Sequence, residues 1–128
     1  MNNPKVRKVK VDVELYKSTI YCYANLKYSD FINILQSKHN FKISEDNKEV
    51  NDCAAQTIQF GKGVYVIWLE RFSKRSSKQY LYMSYLVHEC CHVADFIFDE
   101  HEVEPCSETF AYLVEYIFQQ LYLLLKEK

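Results

Sequence analysis

The sequence predicts an α+β fold: an antiparallel sheet of about four strands packed against helices. Three observations carry this. Lys8 to Leu15 alternates apolar and charged residues with a period of two. Two strand-like runs, Ala55 to Phe60 and the apolar Val64 to Leu69, flank Gly61-Lys62-Gly63, which holds the only two glycines of the chain. From about Lys78 onward the apolar period changes from two to three and four, the spacing of helices.

In chain order, Val9, Val11, Val13 and Leu15 share one face of the first strand, and Lys8, Lys10, Asp12 and Glu14 the other. Lys17-Ser18 turns the chain into a second strand, Thr19 to Ala24, with Ile20, Cys22 and Ala24 opposite Tyr21 and Tyr23. Ser29 and Asp30 suit the N-cap and first turn of a short helix whose stripe is Phe31, Ile34, Leu35 and the stem of Lys38. His39 to Asp52 is polar and without period, which predicts a surface loop with a solvated His39. Glycine tolerates positive φ, so Gly-Lys-Gly is expected to close a hairpin. A strand follows it where a phosphate loop would need a helix. Val64 to Leu69 is apolar on both faces and belongs inside the sheet or beside a cleft.

Arg71 to Lys78 is basic and serine-rich, a solvated connection ending in an N-cap at Ser76 or Ser77. A long helix then runs to about Phe98. Leu81, Tyr85, His88, His92 and Asp95 lie on one face and Tyr82, Leu86, Val93 and Ile97 on the opposite flank, so the helix is expected between the sheet and another helix. Pro105 fits the first position of a last helix reaching about Lys126. Its apolar side includes Phe110, Leu113, Ile117 and Leu121, and its polar stripe Glu108, Tyr112, Glu115 and Gln119.

The 128 residues, 48% hydrophobic and 26% charged, fit one domain over residues 1–128 with short flexible ends. A formal net charge of -1 argues against nucleic acid or an anionic membrane surface as partner. No signal-peptide pattern and no membrane-spanning run is seen. Five cysteines without a framework spacing suggest reduced thiols and a cytoplasmic setting, each thiol serving as a small buried hydrophobe. The apolar last helix offers a patch for self-association.

The chemistry concentrates in His88-Glu89-Cys90-Cys91-His92. Residues four apart on a helix share a face, with Cβ atoms roughly 5–6 Å apart, so His88 and His92 can address one ion. Glu89 can take a proton from a water at that ion. Alone, two such histidines also fit a helix whose imidazoles bond to neighbours. A catalytic zinc needs a third protein ligand and an open position. Asp95, Asp99, His101, Glu102, Glu104, Cys106 and Glu108 are the downstream candidates. Asp95 is better placed to orient an imidazole than to ligate. Glu108 is favoured because it begins a helix able to pack across the first, although acids suit a first turn without any metal.

His88-Glu89-x-x-His92 followed by Glu108-Thr109-Phe110-Ala111-Tyr112-Leu113 resembles the zincin metallopeptidases of the gluzincin type. More narrowly, it is similar to small metallopeptidase-like proteins of phages and mobile elements, and shares the outline of ImmA/IrrE-type peptidases. The likeness covers roughly residues 58–117. It implies a minimal zincin-like domain holding one Zn2+ ion through His88, His92 and Glu108. Glu89 would be general base and Tyr112 a donor to a developing oxyanion. Val64 to Leu69 would correspond to the edge strand lining the cleft. The implied activity is hydrolysis of a protein or peptide in the cytoplasm of a bacterial host cell, with a catalytically inactive zinc-binding relative as the alternative. Asp95 and Phe98 stand where a metzincin has Gly and His, which excludes that branch.

Overall fold

The computed structural model describes residues 5–40, 53–59, 61–73, 77–104 and 106–126. In chain order these form β1 (Arg7–Val13), β2 (Ser18–Ala24), α1 (Tyr28–Lys38), β3 (Ala55–Gln59), β4 (Val64–Leu69), α2 (Gln79–Glu100) and α3 (Ser107–Leu125). The class is α+β, but the four-stranded sheet is mixed rather than antiparallel, in the order β1-β2-β4-β3. Two antiparallel hairpins, β1–β2 and β3–β4, join through a parallel β2–β4 pair in the register Thr19↔Val64 to Ala24↔Leu69. Composition explains the arrangement. β2 and β4 are apolar on both faces and take the centre; β1 carries Lys8, Lys10 and Asp12, and β3 carries Gln56, Thr57 and Gln59, so both suit an edge.

The sheet lies between two helical layers. Ile20, Cys22, Ala24, Tyr65, Ile67 and Leu69 face α2 and α3, where Leu86, Val93, Ile97, Leu113, Ile117 and Leu121 complete the core. Tyr23, Val66 and Trp68 face the other way and pack with Phe31, Ile32 and Leu35 of α1. Val64 to Leu69 is therefore a central strand, as its two apolar faces require, and not the edge that the zincin likeness implies; β3 holds the edge beside α2. α2 packs on the sheet with α3 beside it in the same layer, rather than between the sheet and another helix.

Several local expectations are corrected. β1 ends at Val13, and Glu14–Tyr16 form a 3₁₀ turn closed by Lys17 at φ 51, which turns Leu15 outward to 83% exposure. α1 starts at Tyr28, with Lys27 as a cap that makes no side-chain bond, rather than at Ser29. Packing overrides capping preference here, because the Tyr28 ring stands edge-on to Trp68 at 5.1 Å. His39 is half-buried, its Nε2 2.9 Å from the Tyr23 hydroxyl and its ring against Tyr21. α2 begins after Lys78 without a serine cap. α3 begins after Cys106, and Phe110 N–H donates to the Cys106 carbonyl. The expectations for residues 1–4, 41–52, 60, 74–76, 105 and 127–128 lie outside the described residues. Cys22 and Cys90 are buried as expected, whereas Cys53 and Cys106 are exposed.

Two hubs fix the frame. Asn25, at φ 68, donates from its backbone to Leu69 O and from its amide to Lys5 O, and accepts from Phe72 N–H at 2.7 Å. Glu100, at the end of α2, accepts from Gly63 N–H at 2.7 Å, from the Tyr65 hydroxyl, and from the Gln59 amide at 3.2 Å. Burial, then the hydrogen bond to Glu100 and its charge, hold the Tyr65 phenol above the usual tyrosine range. The unfolded chain releases that proton near pH ~10, whereas the fold retains it to higher pH. This stabilisation is complete below the unfolded value and is lost as pH rises above it. Tyr65→Phe is expected to reduce the fall in urea midpoint between about pH 8 and about pH 11. Cys22 and Cys90, also raised by burial, remain in both proteins, so the comparison isolates Tyr65.

Candidate metal centre

α2 packs over β3 and β4 with Leu86, Cys90, Val93, Ala94 and Ile97 inward. At 100° per residue, His88 and His92 fall on the side of the helix turned away from that core, and both are exposed. Their Nε2 atoms are 3.1 Å apart, with ring planes at 81°. Two imidazole nitrogens at the usual 2.0–2.1 Å from a tetrahedral zinc stand about 3.3 Å apart. The pair therefore matches two corners of such a site almost without adjustment. The same separation also allows one imidazole N–H to donate to the other ring.

Glu89 faces the sheet. It is only 5% exposed, and its Oε1 accepts a 2.7 Å hydrogen bond from Thr57 Oγ1 on β3. The carboxylate thus sits at the junction of α2 and the sheet edge, one residue along from His88. A buried carboxylate without a donor would be costly, and Thr57 supplies that donor. Thr57 is a partner of Glu89 that the motif did not reveal. Its only signal in sequence is a hydroxyl between Gln56 and Ile58 of an edge strand.

Among the described residues, no group of three His, Cys, Asp or Glu side chains is gathered so as to hold a metal ion. Glu108 is exposed in the first turn of α3. α3 packs on the flank of α2 that carries Phe98, whose ring meets Phe110 edge-on at 5.9 Å, and on β1. Tyr112 is 65% exposed and lines a groove between α3 and residues 12–16 beyond β1. The histidines belong to the helix over β3 and β4, whereas α3 lies over β1 at the opposite edge of the same sheet. The structure thus brings His88 and His92 together, turns Glu89 into the α2–β3 interface, and places Tyr112 in a groove that neither histidine lines. Asp95, Asp99, His101, Glu102, Glu104 and Cys106 are all exposed.

The two cysteines inside the motif differ. Cys90 is in the core, where burial pushes its thiol well above the usual range; Cys91 is half-buried and raised by burial to a smaller extent. Both favour the neutral thiol over the thiolate that binds metal. Cys106, by contrast, is held below the usual range, chiefly by its contact with Thr109 Oγ1 at 2.9 Å. No helix among the described residues is long and apolar enough to cross a membrane. No protein-family model, curated protein or solved structure matches the chain.

Proposed function

We propose that the protein is a zinc-dependent metallopeptidase of the zincin type that cleaves a protein or peptide. The observation that carries this reading is the 3.1 Å separation of His88 and His92 Nε2, with a carboxylate next to them in the motif. When bound, zinc polarises a carbonyl and makes water more acidic. His88 and His92 hold the ion, and Glu108 is the third ligand by its place in the motif. Glu89 takes a proton from the attacking water and passes it to the leaving amine. Thr57 positions the Glu89 carboxylate through its 2.7 Å hydrogen bond. A second reading is favoured by the absence of a gathered third ligand among the described residues and by the place of Tyr112 in a groove that neither histidine lines. In it the domain binds metal through the imidazole pair and regulates or recruits without hydrolysis.

Metal analysis and a peptide-library cleavage assay distinguish the two. The enzyme reading expects one zinc per chain, loss of that zinc in His88→Ala and Glu108→Ala, and cleavage reduced by about 10²–10⁴ in Glu89→Gln with zinc retained. Zinc that is bound without cleavage supports the second reading. A wild-type chain that acquires no zinc, with His88→Ala unchanged in metal content and stability, removes both.

A further inference from the structure

Three of the exposed large apolar side chains lie around one groove that neither histidine of the imidazole pair lines. Leu15 is 83% exposed, Tyr112 65% and Tyr116 44%, and all three line a groove of about 560 Å³ between the 3₁₀ turn after β1 and the first half of α3. Its construction is specific. The 3₁₀ turn ends the alternation of β1 and directs Leu15 outward. Tyr112 and Tyr116, four apart on α3, stand as neighbours on one helical face. The volume lies within the ~300–1,000 Å³ of ligand pockets, enough for a few side chains.

The charge of the groove selects the occupant. Among the described residues that line it, both charged ones are acidic, Asp12 and Glu14, and exposed Glu115 lies one turn from Tyr112 on α3. Tyrosine faces also attract a guanidinium or ammonium group, and tyrosines are enriched where interfaces draw most of their affinity. We infer that this groove docks a peptide segment of a partner protein that places an arginine or lysine beside leucine-like side chains. Of the chain's basic stretches, the one at residues 5–10 is held to its own fold: Arg7 Nη2 donates to Leu124 O at 2.8 Å, and Lys5 O accepts from Asn25. A second copy would therefore have to pull this stretch away from its own sheet to use it. The docking site is independent of the metal reading, since neither His88 nor His92 lines the groove.

Fluorescence polarisation with three labelled model decapeptides tests the inference: one of alternating Leu and Arg, one of alternating Leu and Glu, and one of alternating Ser and Arg. The Leu/Arg peptide is expected to bind at least about tenfold more tightly than either control, and to weaken as salt is raised. Leu15→Ser and Glu14→Lys, both at exposed positions, should each weaken it by about tenfold while the circular dichroism spectrum and melting curve stay unchanged. Equal binding of the three peptides overturns the inference, as does affinity that neither substitution alters. So does a dimer, seen by sedimentation, that Leu15→Ser dissociates while no peptide binds, since the groove would then belong to a second copy.

Discussion

Glu100→Ala is expected to destabilise the fold by about 3–5 kcal/mol, from the loss of two hydrogen bonds to an ionised acceptor at roughly 1.5–3 kcal/mol each. The carboxylate accepts from the Gly63 N–H and from the hydroxyl of fully buried Tyr65, and deletion leaves both donors without it. The Gln59 amide is a minor contributor, because that contact is exposed. Glu100→Gln should lose less, since an amide oxygen can still accept from Gly63 and its NH₂ can donate to the tyrosine oxygen. Urea denaturation of the three proteins measures the order wild type, Gln, Ala. Equal midpoints for Ala and wild type would show that the junction of α2 with the β3–β4 hairpin is held by apolar packing alone. Because Glu100 ends the helix that carries His88, Glu89 and His92, its loss should also loosen the seating of Glu89 on Thr57.

Gly63→Ala should cost about 3–4 kcal/mol, and Gly61→Ala only about 1 kcal/mol, although both glycines have positive φ. Gly63 is at φ +71, and a Cβ there would come to 2.8 Å from the Lys17 carbonyl oxygen. That oxygen is backbone, in a turn whose Lys17 already has a left-handed φ of 51, so it cannot swing aside as a side chain would. Gly61, at φ +67, has nothing within 4 Å of the same atom and bears only the conformational cost. Thermal melts of the two variants provide the comparison, each acting as control for the other. Similar losses in both would mean that the β1–β2 turn yields to Gly63.

The strands and helices were legible because each has a single dominant signal. The alternation in β1, the two apolar faces of β4 and the stripe of α2 all point to the positions at which these elements are found. Sheet direction was not legible. Neighbouring apolar runs suggest hairpins, and two hairpins are present, but nothing local specifies which strands of the two meet. That depends on matching the apolar faces of β2 and β4 across the intervening chain. The same applies to Leu15, whose place in the alternation suggested burial until the 3₁₀ turn intervened. At the candidate site, the imidazole pair follows directly from a four-residue spacing on one helix. Thr57 and Glu100 lie 32 and 37 residues from the groups they contact, a relation that only the folded chain creates. The third ligand drawn from the motif depends on how α3 is set against α2, and the flank on which α3 packs is a property of the whole core.

The parallel seam between β2 and β4 has a kinetic consequence. Each hairpin closes over a short stretch of chain, but pairing Thr19 with Val64 closes a loop of ~45 residues, a search whose entropic term is about 3 kcal/mol. The hairpins can form early and separately, and the fold is committed only when their central strands meet. Gly63 O accepts from Thr19 N–H at 2.7 Å at the start of that seam. The cost of Gly63→Ala should therefore fall mainly on the refolding rate, with little change in unfolding, as for a contact already made in the transition state.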